Sequence, residues 1–155
     1  MPAARRLPTR NELAMWREFI EATDLLRTAV ATRLHDDTGL STGDYTVLLA
    51  LAEAAGGRYR SSDLATAIGW ERSRLSHHLG RMERRGLIRR EHCTDDSRGA
   101  EIVLEPHGKQ AFDAATKPHL RAVRELFVEA LTPDQVKAAG DVAAALRRHL
   151  LRGCG

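Results

Sequence analysis

The chain has 155 residues, which at roughly 100 to 200 residues per domain makes one domain, or one domain with helical arms. Hydrophobic residues make up 43% and charged residues 29%, too apolar for a disordered chain, while aromatics at 5% leave the core to Leu, Val, Ile and Ala and favour helices over an aromatic-rich β-sandwich. The net charge of +3 is unevenly placed: residues 58–98 hold ten Arg and no Lys against six acids, and Arg suits phosphate and guanine.

No run of the sequence reaches the roughly 18 to 20 apolar residues that span a bilayer. The basic start Met1-Pro2-Ala3-Ala4-Arg5-Arg6 is followed by no apolar stretch of signal-peptide length. A cytoplasmic protein without a membrane partner is therefore expected. Cys93 and Cys154 lie far apart, the second in a terminal Gly-Cys-Gly, so no structural disulfide is expected.

Residues 1–10, with two Pro and three Arg, read as a flexible basic arm. From Leu13 the residues Leu13, Trp16, Ile20, Thr23, Leu26, Val30 and Leu34 recur at three- and four-residue steps, which predicts an amphipathic helix ending near Asp37. Gly39 closes it. Ser41 or Thr42 caps a second helix with Tyr45, Leu48, Leu51 and Ala52 inward, broken by Gly56-Gly57. Ser61-Ser62-Asp63 opens a short third helix with Leu64, Ala67 and Ile68 inward, and Gly69 stops it. A fourth helix follows from Arg72 to Arg85, ended by Gly86. Two short helices joined by a tight Gly-containing turn form a helix-turn-helix pattern.

Residues 87–92 and 100–104 read as two short strands around a polar loop, a wing on the helix-turn-helix. Pro106 opens a long helix carrying Phe112, Ala115, Leu120, Val123 and Phe127, with a kink expected at Pro118. Thr132-Pro133-Asp134-Gln135 is a capping box that starts a last helix bearing Val136, Ala139, Ala143, Leu146 and Leu150. Both terminal stripes exceed what one small domain can cover, so they are expected to pack on a second copy of the chain. The fold class is mainly α with a small β-hairpin wing: a winged helix-turn-helix flanked by N- and C-terminal helices.

On the fourth helix Leu75, Leu79 and Met82 fall within about 60° of one another at 100° per residue and are core. The opposite side carries Ser73, His77, Gly80, Arg81 and Arg84, flanked by Arg74 and Ser76. Arg can bridge guanine O6 and N7, and Ser can bond base edges or phosphate, so this face suits the major groove. Ser61, Ser62 and Arg72 join it as candidate DNA contacts. In the loop, Asp96 lies two residues from Arg98 and can hold its guanidinium in a bidentate pair.

These residues resemble the winged-helix MarR (multiple antibiotic resistance regulator) family over about residues 11–150. The resemblance is most specific at Arg72-Ser73-Arg74-Leu75-Ser76, at Met82-Glu83-Arg84-Arg85-Gly86-Leu87-Ile88, and at Asp96-Ser97-Arg98 leading to Ile102-Val103-Leu104. It implies a homodimer with interlocked terminal helices (11–37 and 106–150), a DNA-binding core at 41–104, and a tail at 151–155. It further implies a recognition helix in the major groove of double-stranded DNA and a wing Arg98 in the minor groove. Most of the family are repressors that release DNA on binding a small anionic or phenolic effector or on cysteine oxidation. Trp16, Tyr45, His35 and His119 are the candidate effector contacts. The chain departs from the family pattern at His77, where Arg is common, and at His78, where an apolar residue is usual. It also lacks the reactive Cys near the start of the first helix found in the peroxide-sensing branch.

Four other readings compete. None of the seven His has the i, i+4 or Cys-x-x-Cys spacing of a strong metal site, and no cofactor is expected. No catalytic triad, phosphate loop or paired-carboxylate motif can be assembled, so the chain is not expected to be an enzyme. A constitutive DNA-binding regulator without an effector, or a protein-interaction module that uses the winged helix without DNA, are the alternatives to a ligand-responsive repressor.

Overall fold

A computed structural model describes residues 6–92 and 99–152. The chain divides into two units, one comprising the residues up to Val30 and from Ala122 onward, the other Ala31–Arg121. Helix α1 (Arg10–Thr38) opens with a capping box: Thr9 N–H donates to Glu12 Oε2 at 2.6 Å, and Glu12 N–H donates to Thr9 Oγ1 at 3.2 Å. Helix α2 (Thr42–Glu53) has the same device at Ser41, whose hydroxyl accepts from Asp44 N–H while Asp44 Oδ2 accepts from Ser41 N–H, both at 3.0 Å. A 3₁₀ turn at Ala55–Gly57 leads into strand β1 (Arg58–Arg60), then α3 (Ser61–Ile68) and α4 (Arg72–Arg84). The turn between α3 and α4 needs Gly69, whose φ of 68° lies in the left-handed region, and its N–H closes α3 by bonding the Ala65 and Thr66 carbonyls.

Strands β2 (Ile88–His92) and β3 (Ala100–Leu104) pair antiparallel with Arg90 opposite Ile102. The expected hairpin is in fact part of a three-stranded sheet of order β1-β3-β2, with Tyr59 opposite Ile102 on the other edge of β3. Three residues, Arg-Tyr-Arg, are too few to show alternation, so β1 exists only through its pairing. Helix α5 (Pro106–Val123) continues unbroken through the expected kink at Pro118. The helix widens later, at a π-helical turn (Arg124–Val128) where Glu129 N–H bonds the Arg124 carbonyl at 2.9 Å. Helix α6 (Pro133–Arg152) begins at the expected box, with Thr132 N–H donating to Gln135 Oε1 at 2.9 Å.

The core lies in the second unit. Leu48 and Leu51 of α2, Leu64 of α3, Leu75, Leu79 and Met82 of α4, Ile88 of β2 and Ile102 of β3 are almost wholly removed from solvent. On α3 the second buried residue is Ala65 instead of Ala67, one step round the helix from the expected stripe. In the first unit the pattern reverses: Met15, Trp16, Phe19 and Leu25 on α1 and Val142, Leu146 and Leu150 on α6 are exposed.

The second unit closes where α5 crosses the end of β2. A Cβ at Gly108 would stand 2.0 Å from the Leu87 carbonyl oxygen, which itself accepts from Glu105 N–H. Backbone on backbone cannot yield cheaply. Gly108→Ala should therefore destabilise the protein by about 1 to 3 kcal/mol, as overpacking does, seen as a lower midpoint in thermal denaturation.

Candidate nucleic-acid interface

Helix α4 is seated by Leu75, Leu79 and Met82, and this fixes what it turns outward. Arg72, Ser73, Arg74, Ser76, His77, Arg81 and Arg84 are all exposed. Ser73, Ser76, His77, Gly80 and Arg84 line an open hollow, and Ser73 with Arg72 and Arg74 lines a second one against Gly69 and Trp70. The face is thus a continuous cationic, hydroxyl-bearing surface. Ser61 and Ser62, half-buried, stand at the start of α3. Asp96, Arg98 and Cys93 lie outside the described residues.

The ten Arg of the basic segment do not act as one pool. Arg58 bonds Glu101 at 2.9 Å, and Arg89 bonds both Glu91 and Glu105 at 2.5 Å, so these guanidinium groups brace the sheet. Arg89 holds Glu91 below the usual carboxylate range. Arg90 reaches from β2 to α4, donating through Nη2 to the Ser76 carbonyl at 2.7 Å and through its own N–H to Glu83 at 3.0 Å. On α4 the exposed cations Arg72, Arg74, Arg81 and Arg84 charge the outward face. Arg74 lies over the Trp70 ring, 4.1 Å from its centroid, a cation–π contact.

Behind this face sits a polar cluster that the sequence pattern did not reveal. Asp44 of α2 is 2% exposed. Its Oδ2 accepts from Arg85 at 2.7 Å and from Ser41 N–H at 3.0 Å, and its Oδ1 lies 3.0 Å from His78 Nε2, a polar contact lacking full hydrogen-bond alignment. Burial alone would raise the Asp44 pKa, but His78, Arg85 and the Ser41 N–H together hold it well below the usual carboxylate range. Ser-x-x-Asp spacing at residues 41–44 was one of two signals of this cluster in the sequence. The departure at His78 was the other: it is buried among polar partners where an apolar residue is usual.

Of the candidate effector residues, Tyr45 and His119 come together. Tyr45 of α2 meets His119 of α5 with ring centroids 4.4 Å apart and Phe112 at 5.3 Å. His119 Nδ1 is buried without a hydrogen-bond partner, and burial lowers the pKa of its imidazole. His35 is exposed on α1. Trp16 belongs to the first unit, where it lines a shallow hollow with Leu7, Pro8 and Leu13.

The profile of the MarR family matches residues 38–99. AbsC of Streptomyces coelicolor, a MarR family transcriptional regulator, is 36% identical, with a TM-score of 0.84 over 96% of this chain and 99% of AbsC. The chain belongs to the MarR family. A second MarR family regulator from Streptomyces coelicolor, Sco3205, whose structure is a complex with DNA, is 35% identical with a TM-score of 0.86 over 94% of this chain and 91% of that one. The HTH-type transcriptional regulator YfiV of Bacillus subtilis is 30% identical over 95 residues, and the match spans 61% of this chain and 58% of YfiV. The mainly helical winged fold is thus that of MarR regulators, and the chain is a regulator, not an enzyme.

In this MarR family member the Asp44 cluster joins α2 to α4, so its loss should be felt as stability. Asp44→Asn should cost about 2 kcal/mol, the worth of hydrogen bonds to a charged group. Because the folded pKa is depressed, the unfolded chain takes up the proton first on acidification. The stabilisation is complete above about pH 4 and falls below it. Urea titrations from neutral to acid pH should show the gap between wild type and variant narrowing below that point.

Proposed function

We propose that this protein is a sequence-specific DNA-binding regulator that acts in the cytoplasm as a homodimer on a pseudo-palindromic operator, and that a small molecule releases it. The observation that carries the reading is the outward face of α4, where four Arg and two Ser stand on a helix seated by three buried apolar residues. The relation to Sco3205, whose structure holds DNA, supports it.

In the proposed complex α4 lies in the major groove, with Arg74 and Arg81 reading bases and Ser73, Ser76, Arg72 and Arg84 on base edges or phosphates. Ser61 and Ser62 contact the backbone. Arg98, supported by Asp96, enters the minor groove, where it senses groove width and potential instead of individual bases. The exposed apolar stripes on α1 and α6 pack on a second copy, and the two-fold axis places the half-sites about one helical turn apart. A phenolic or carboxylate effector sits against Tyr45 and His119, whose unpartnered Nδ1 can bond it. It represses or releases only insofar as it binds one spacing of the recognition helices better than the other.

Electrophoretic shift assays with fragments selected from genomic DNA test the core of this reading. Affinity should fall by about a thousandfold between 50 and 200 mM salt if six or so phosphates are neutralised. Arg74→Ala should relax preference at one base pair by about 1 to 3 kcal/mol, whereas Arg98→Ala should weaken all sites alike. Salt-independent binding, or equal losses on every site for both variants, would contradict it. Leu146→Glu with Leu150→Glu should halve the sedimenting mass and abolish operator binding. Calorimetry with salicylate, with and without operator, reads the switch: a hundredfold loss of DNA affinity needs about 2.7 kcal/mol of coupling. Equal affinity in both states would leave a constitutive regulator.

A further inference from the structure

The His78 ring is held on four sides. Its Nδ1 lies 2.9 Å from Arg81 Nη2 and its Nε2 lies 3.0 Å from Asp44 Oδ1. Trp70 stands edge-on to it at 5.3 Å between centroids. A Cβ at Gly43 would come 2.8 Å from its Cε1, so the ring occupies space that only glycine leaves. The charged groups facing it are Asp44 of α2, held in turn by Arg85, and Arg81 of its own helix.

These contacts fix the tautomer. A guanidinium only donates, so Nδ1 must present a lone pair to Arg81, and the proton of the neutral ring sits on Nε2, the nitrogen nearer Asp44. The chain of contacts runs from a buried carboxylate on α2, through an imidazole, to an exposed guanidinium on the outward face of α4. It uses one of the five N–H donors of Arg81 and leaves the rest for a base. A long side chain that would otherwise sample many rotamers is thereby oriented before DNA arrives.

We propose that His78 is a positioning residue that sets the base preference of Arg81, acting through its bare Nδ1. This role rests on the DNA-binding reading above. A merely structural His78 would support the fold and leave the ranking of bases unchanged. As a positioning residue it makes discrimination at one base pair depend on an acceptor at this site.

The test compares wild type, R81A, H78L and H78Q, each as the full chain, on the selected operator and its single-base variants. Leu removes the acceptor; Gln restores it, with an amide oxygen for Arg81 and an amide N–H for Asp44. H78L should lose discrimination at the same base pair as R81A, by about tenfold where the contact is bidentate, while its binding to random DNA keeps the wild-type salt dependence. H78Q should keep most of the discrimination. Wild-type ranking in H78L, or a uniform loss shared by H78L and H78Q, overturns the proposal. Should H78L fail to fold, the long-range ¹H–¹⁵N spectrum of wild type without DNA decides. At about pH 8, above the ordinary imidazole range, it should show His78 protonated at Nε2 and bare at Nδ1, and a proton on Nδ1 overturns the arrangement. Wild type that selects no site would refute the DNA-binding reading itself and this role with it, an outcome read without any variant.

Discussion

One buried carboxylate, that of Asp44, ties α4 to the rest of its unit. Asp44 begins as an ordinary capping residue, fourth in the box that starts α2, and its second oxygen is left over. That oxygen reaches His78, while the first also takes Arg85 from the end of α4. Leu75, Leu79 and Met82 seat α4 through the hydrophobic effect, which is non-directional and would tolerate some rotation about the helix axis. The directional bond from Arg85 to Asp44 at the end of α4, with the close His78 contact at its middle, restricts that freedom. The angle at which Arg72, Arg74, Arg81 and Arg84 face outward follows from both together.

The same division recurs in the sheet. Acidic partners take up Arg58 and Arg89 and the Ser76 carbonyl takes Arg90, so charge that the sequence counts as part of a basic patch instead stiffens the stem of the wing and joins β2 to α4. Exposed pairs of this kind contribute little to stability one by one. Their use here is geometric: they brace β1, β2 and β3 against one another.

Much of this was legible in the sequence because it depends on local rules. The helices follow from apolar residues at three- and four-residue steps, the α6 start from Thr132 and Gln135, and the α3–α4 turn from Gly69. The outward residues of α4 follow from the inward ones. Features made by pairing distant segments were not legible. Strand β1 has no alternation to show, and Asp44, His78 and Arg85 lie 34 and 7 positions apart in sequence yet converge. The effector candidates illustrate the same limit: Tyr45 and His119 meet in space, and nothing in their spacing says so.

In the proposed complex α4 reads the edges of bases in the major groove. Methylation interference tests this most directly, since dimethyl sulfate places a methyl group on guanine N7 in the major groove and on adenine N3 in the minor groove. Guanine methylation should block binding at two clusters whose centres lie about 10 base pairs apart, one for each α4 of a dimer. Interference confined to adenine N3, or no interference at guanine in a site that the protein selects, would contradict it.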